Sequence, residues 1–499
     1  MNRRRFCQGS LAAAIAASLS GGQAFGAVFH ALTQITSNID AITGDGGDVV
    51  LEKAALQELS DSLRGNLLLT GSEAYDKARR VINKSIDKYP AFVVQPSGVA
   101  DIQNAVNFAR ERDLLVAVKC GGHSFSGKST CDGGMQIDLS NFRGVRVDPK
   151  SRTAYVDGGS LLAELDHEAM AQGLVTTAGT VSHTGVGGLT LGGGFGRVGR
   201  RFGLSLDNVK SVDIITADGQ LRHANAKENP DLYWGVRGGG GNFGVVTNFE
   251  FALHPMQRKV VAGEAIFPIT RTKEVLKVYA ELCAGAPDDL YADYIMMAPP
   301  AADGIAMIHV CYSGPENKAD RVLAPLKKLG EPMTSTIKAT DYVAVQQSFD
   351  NSDPRTGGDY TKSGFTNGIS EGLINAIADN FEPHPDRLSW LYFQQSGGAI
   401  GRVDTDDTAF AHRYSSHSVA PVATWNPGVD SAPHFAYVRQ YWAELEPHTR
   451  GFYTNEVADE AQTIVNANYQ GNFERLLKIK DKFDPTNLFR LNANIRRAV

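Results

Sequence analysis

The sequence predicts an α+β protein in two main parts, and three observations carry that prediction. Dense glycine clusters lie between Gly121 and Gly244, separated by strand-like and helix-like segments. From about residue 257 the clusters stop. Longer strands with helices between them take over, the pattern of an antiparallel sheet covered by helices. Near the C-terminus a helix with Leu476, Leu477 and Ile479 turned inward is halted at Asp484-Pro485. A chain of 499 residues leads to an expectation of two domains with full cores.

The elements follow in order. Residues 1–27 read as a targeting segment, in which Asn2-Arg3-Arg4-Arg5-Phe6-Cys7-Gln8 resembles a twin-arginine export signal. Its apolar core, 11–19, is far shorter than the ~20 residues that span a bilayer. Ala24-Phe25-Gly26 precedes a cut before Ala27. An amphipathic N-terminus is the plainer alternative. No later run is long enough to span a membrane, so the mature chain is expected to be exported, periplasmic or secreted, soluble and without a stable anchor. Residues 28–84 form an extension with a loop at 44–48 and helix-like spacing at 51–63 and 75–89. A strand at 90–96 closes on Pro96. The stripe Ile102, Ala105, Val106, Phe108 and Ala109 marks a helix over 99–112, and 114–118 is a buried strand. Strand, helix, strand implies a crossover within one sheet. Strands are expected at 135–139, 153–157 and 209–217, the last turning at Asp218-Gly219, with a helix at 161–172. Residues 231–246 read as strand, glycine turn, strand. Beyond 257, strands fall at 260–267, 290–297, 305–312 and 389–395, and a helix at 273–283. A weaker helix at 320–329 is interrupted by Pro325.

Composition narrows the function. A net charge of -6 argues against a nucleic-acid binder. The 52 glycines exceed the usual ~7%. No cysteine pair has zinc-ribbon spacing, so no metal site is expected. Cys120 and Cys131 are close enough in sequence to pair in an oxidising compartment, or to remain free thiols.

The chemistry concentrates in three stretches. The first is Val118-Lys119-Cys120-Gly121-Gly122-His123-Ser124-Phe125-Ser126-Gly127. Adjacent glycines leave main-chain amides uncovered for a ligand, and a histidine stands at the rim. Taken alone, these ten residues read more plainly as a loop cap. The second runs from Ala178 to Gly196. It contains Gly194-Phe195-Gly196-Arg197-Val198-Gly199, which has dinucleotide-fingerprint spacing. The fingerprint needs a strand before it, and residues 184–193 are half glycine, so a loop of amides around a pyrophosphate fits better. The third is Asp231-Leu232-Tyr233-Trp234-Gly235-Val236-Arg237-Gly238-Gly239-Gly240-Gly241-Asn242-Phe243-Gly244.

Together these stretches resemble the FAD-linked oxidases of the vanillyl-alcohol oxidase superfamily, most closely the berberine-bridge-enzyme branch. Phe452-Tyr453-Thr454-Asn455-Glu456 and the segment 469–489 resemble that branch's closing module. The resemblance implies a two-subdomain PCMH-type FAD-binding domain over 85–256, a substrate domain over 257–450, and a C-terminal module over 451–499 returning to the flavin. It implies a covalent bond from His123 to the flavin 8α-methyl group. Around the FAD it places Gly121, Gly122, Ser124, Gly127, Gly185, Gly187, Gly188, Gly192, Gly193, Gly196, Val246, Asn455 and Asn492.

Bicovalent relatives carry a cysteine where this chain has Val181, so a single bond through His123 is expected. That also makes oligosaccharide substrates less favoured. Where many relatives carry a tyrosine base, this chain has Glu456, and a carboxylate buried beside a flavin can accept a substrate proton. Tyr453 and Gln394 are the other catalytic candidates. Gln394 stands where several relatives place a carboxylate and can orient a substrate but not take its proton. The expected function is an FAD-dependent oxidase moving hydride from a CH–OH or related donor to the flavin, with O2 as acceptor. The alternatives are a dehydrogenase feeding a quinone or cytochrome, a reductase of the related cell-wall precursor type, disfavoured by the export signal because NADPH is absent outside the cytoplasm, and an exported binding protein without chemistry. The expected partners are a small-molecule substrate, an electron acceptor and the twin-arginine machinery, which carries folded, cofactor-loaded proteins.

Overall fold

Phe92, Val93 and Val94 are fully buried, so the strand Phe92–Gln95 has both faces covered. In the computed structural model, which describes residues 35–350, 357–456 and 459–498, this strand begins the layer that presents the first glycine turn. The expected export signal lies outside the described residues. The helix Val99–Glu111 packs Ile102, Ala105, Val106 and Phe108 inward and returns the chain to Val116–Lys119. Met135–Asp138 lies between these two strands and parallel to both, and Asn66–Leu69 adds an antiparallel edge. The crossover is therefore present with a third strand inserted, and it delivers Gly121 just past the end of Val116–Lys119.

A second, fully antiparallel sheet has the order Leu221–Asn225, Val209–Ile215, Val245–Ala252, Thr153–Asp157, Val145–Asp148. The closing helix Phe473–Phe483 packs Leu476, Leu477, Ile479 and Phe483 into the same core as Trp234, Phe249 and Phe251. Its end is bolted down: buried Lys480 pairs with Asp484 at 2.6 Å and donates to the carbonyl of Asn242 at 2.7 Å. The C-terminal module is thus tied to the third glycine stretch.

The third sheet has nine strands, among them Lys259–Pro268, Ile305–Tyr312, Leu290–Ala298, Arg387–Gln395 and His417–Trp425 in that spatial order. The helices Thr272–Ala284, Glu371–Asp379 and Ala432–Leu445 cover one face, where Ala292, Tyr294, Met296, Ile308 and Phe393 are buried. The other face, one residue out of phase, turns toward the glycine loops. The strand His417–Trp425 is buried along its whole length, yet its polar residues and Pro421 hide it from periodicity. Pro421 is tolerated because its neighbour on that side is split. Gly358–Thr361 pairs with 422–425 and Gly364–Thr366 with 417–419, leaving the proline in the gap.

Some expectations are corrected. The helix read over 75–89 is only Glu73–Arg79; Arg79 ends it, buried and paired with Asp76 and Asp87. The stretch 231–246 opens as a helix, Pro230–Val236, with proline at its first turn, where no amide donor is needed. Residues 186–192, poor as a strand, form the helix Val186–Gly192, so the fingerprint spacing at Gly194 has no strand before it. Cys120, Cys131, Cys283 and Cys311 are all free thiols. Among the described residues no helix is long and apolar enough to cross a membrane.

The glycine domain and the nine-stranded domain are clasped by Arg413, whose two Nη groups reach the two carboxylate oxygens of Asp207 at 2.8 and 2.7 Å. Both side chains are nearly sealed from solvent. Arg413→Ala leaves Asp207 buried without its partner and is expected to cost roughly 3–5 kcal/mol, read as a lowered urea midpoint.

Candidate flavin site

The turn after Val116–Lys119 is pressed against the start of Val186–Gly192. A Cβ on Gly121 would stand 2.4 Å from the amide nitrogen of Gly185, and one on Gly185 would stand 2.4 Å from the Cys120 sulfur. Only bare main chain allows this approach. It brings the first two glycine stretches to one cavity of about 280 Å³. Gly121, Gly122, His123, Ser124, Gly185, Gly187 and Gly188 border it, with Gly240, Gly241 and Val246 from the third stretch. Gln394, Tyr453, Asn455, Glu456 and Asn492 close the remaining sides.

His123 stands at the meeting point. Its Nε2 lies 2.6 Å from Nδ1 of His183, and its Nδ1 lies 3.3 Å from the hydroxyl of Thr184. The two rings are tilted, with centroids 4.7 Å apart. His183 and Thr184 were in view in the second stretch, but nothing in their spacing marks them as partners of a residue sixty positions away. Val181 borders the cavity and offers no nucleophile. Cys120 also borders it, but burial pushes its thiol up to about 11, which leaves it protonated and inert at neutral pH.

Glu456 is 6% exposed, and its Oε1 accepts a 2.7 Å hydrogen bond from the hydroxyl of Tyr392. Tyr392, on the strand Arg387–Gln395, is a site residue that periodicity gave no reason to select. Tyr453 borders the cavity as expected. Burial raises its phenol well above the ordinary value, and its oxygen accepts from the amide of Gly194 at 3.0 Å and from Asn455 Nδ2 at 2.9 Å. It fastens the second glycine stretch to the C-terminal module. Gln394 borders the cavity as expected.

Four of the expected cradle glycines do not border the cavity, and packing explains each. A Cβ on Gly127 would strike Ile86. On Gly192 it would strike the Asn455 amide, on Gly193 it would crowd Tyr453 and Phe410, and on Gly196 it would meet the main chain of Gly179. Asn455 reaches the cavity because Gly192 makes room for it.

The residues present fit a flavin dinucleotide. Gly188 borders the cavity, and a Cβ built on it meets nothing within 4 Å, so this bare edge faces space the fold itself does not fill. Exposed amides of three loops suit phosphates, while Val116, Val118, Leu139, Val245 and Leu189 suit a flat apolar ring. Lys128, whose ammonium burial makes less basic while Glu460 opposes that shift, adds a basic side chain to the lining.

A cavity with an amide cradle, a rim histidine and an opposing buried carboxylate defines a flavin-dependent oxidoreductase. Comparison with known proteins agrees. Residues 90–225 match the FAD binding domain family and residues 452–496 the berberine and berberine-like family. An FAD-linked oxidoreductase of Dictyostelium discoideum is 31% identical over 446 residues, covering 88% of this chain and 96% of the relative. An FAD-linked oxidoreductase of Bacillus subtilis (strain 168) is 30% identical, covering 87% and 97%. Among solved structures, 6-hydroxy-D-nicotine oxidase from Arthrobacter nicotinovorans superposes with a TM-score of 0.81 at 25% identity, covering 87% of this chain and 98% of that one. The chain belongs to the berberine-bridge-like FAD-linked oxidoreductases and is an FAD-binding enzyme.

Gly188→Val tests the cradle directly. The substitution is expected to leave the fold intact by circular dichroism, because nothing of the protein stands in its way. It is expected to lower the flavin content of the purified protein at least about tenfold, measured by absorbance.

Proposed function

We propose that the protein is an oxidase carrying FAD through a single covalent bond at His123, exported by the twin-arginine route, and oxidising a CH–OH or related donor with O2 as acceptor. The observation that carries this reading is the position of His123 on the cavity rim, its Nε2 engaged by His183 and its Nδ1 beside Thr184. The bound flavin supplies the hydride acceptor and passes the electrons to dioxygen. The chain's residues do the rest. The amides at Gly121, Gly122, Gly185, Gly187 and Gly188 hold the cofactor's polar parts, with Asn455, Asn492 and Val246 on its other sides. Glu456 takes the proton of the substrate hydroxyl, and Tyr392 holds its carboxylate in place with a hydrogen bond to Oε1. Gln394 orients the substrate. Val181 leaves no second point of attachment. The oxidase name of the superposed nicotine oxidase supports O2 as acceptor, and the N-terminal arginines support export.

His183 positions the attachment. A ring nitrogen of His123 is nucleophilic only while the other nitrogen bears the proton, and a partner at 2.6 Å decides which one does. Acid-precipitated protein is expected to stay yellow and fluorescent. His123→Ala abolishes that colour, and His183→Ala lowers the covalent fraction severalfold while bound, extractable FAD remains. A colourless wild-type precipitate overturns the covalent reading.

Glu456→Gln keeps the shape and removes the base. With any turned-over substrate, kcat is expected to fall by about 10²–10⁴ with little change in flavin content, followed by H2O2 release in air. Turnover with an artificial electron-accepting dye but not with air would assign the dehydrogenase alternative.

A further inference from the structure

Buried polar groups are nearly always paired, so a cluster of unpaired ones marks a place where something else binds. Such a cluster lies beside the flavin cavity. Asp293 faces Gln394 across paired strands, His309 faces Asp293 on the next strand, and Glu264 faces His309 on the one after. Residues directly opposite share a face, so these four form one polar row across the sheet on the side turned away from its helices, with neighbours about 5 Å apart. Asp293 is 5% exposed and His309 2%. Arg197, 2% exposed, approaches the row from the second glycine stretch. Its Nη1 is held by the carbonyl of Thr180, a cavity residue, at 2.7 Å and by Gln346 at 2.9 Å. Its Nε and Nη2 have no partner, nor do Asp293 Oδ1 and His309 Nδ1. The nearest approach of His309 Nδ1 to Asp293, 4.0 Å, is too long for a hydrogen bond. Phe349 bounds the cluster, 5.3 Å from the Arg197 guanidinium and 5.5 Å from the His309 ring.

We propose that Arg197, Asp293 and His309 form a substrate subsite that receives an uncharged pair of neighbouring hydroxyl groups, one strand beyond Gln394. This rests on the reading of the adjoining cavity as the flavin and substrate site. The unpaired atoms are of mixed kind: Arg197 only donates, Asp293 Oδ1 accepts, and a neutral imidazole nitrogen can accept. A hydroxyl gives one hydrogen bond and takes others, so two adjacent hydroxyls satisfy both kinds at once, whereas a single one leaves some unmet. A charged ligand fits worse. The Arg197 charge already acts on both Asp293 and Glu264, and a further charge there stands buried without a counterpart. Burial pushes the Asp293 carboxyl up to about 7, against the opposing pull of Tyr291 and Arg197, and burial with Arg197 keeps His309 neutral.

The test uses the purified holoprotein and matched ring probes: trans-1,2-cyclohexanediol, cyclohexanol, trans-2-aminocyclohexanol and trans-2-hydroxycyclohexanecarboxylate. Binding is followed by perturbation of the flavin spectrum and, in parallel, by thermal shift, which needs no flavin. The diol is expected to bind at least roughly tenfold more tightly than cyclohexanol and more tightly than either charged probe. Asp293→Asn combined with His309→Leu is expected to erase the difference, with flavin content unchanged. Equal binding of diol and cyclohexanol, preference for a charged probe, no binding by any probe, or a preference that survives the double substitution overturns the subsite. If the protein holds no flavin but the diol still stabilises it selectively, the subsite stands and the oxidase reading falls.

Discussion

The contact between the main chains of Gly121 and Gly185 is the constraint on which the site depends. It needs two residues without side chains at one point, sixty-four positions apart. It sets a turn that follows a parallel strand against the first turn of a short helix. Because the two backbones touch, His123 and His183 meet at hydrogen-bond distance and their amides open on one cavity. A methyl group at either position would separate the loops and the histidines with them.

Around that contact the protein spends polar groups as fasteners. Tyr453 gathers a glycine amide and Asn455, and Lys480 and Asp484 hold the tail to Asn242. Arg413 and Asp207 join the two domains. Each is largely sealed from water, so each locks a geometry more than it adds stability. The row beneath Arg197 differs because its atoms are sealed but unmet.

Much of this was legible in the residues. The apolar run of the strand Ile305–Tyr312 and the apolar stripe of the helix Thr272–Ala284 gave them away almost to their ends. His123 stood out because glycines preceded it. Other features were hidden for physical reasons. His417–Trp425 is buried on both faces, so no alternation announces it, and its proline looks disqualifying until the split neighbour is seen. Gly192 and Gly188 look alike in sequence, yet one yields space to Asn455 and the other borders the cavity.

By itself the sequence determined the α+β class, the glycine turns and the candidate attachment histidine. These are local matters of side-chain chemistry and backbone permission. Only the tertiary structure decided which glycines border the cavity and which merely pack, that Tyr453 gathers a glycine amide and Asn455, and that His183 and Tyr392 adjoin the site. It alone aligned Asp293, His309 and Arg197 across two strands and a loop. Register and burial arise from contacts between residues far apart in the chain, and no local pattern records them.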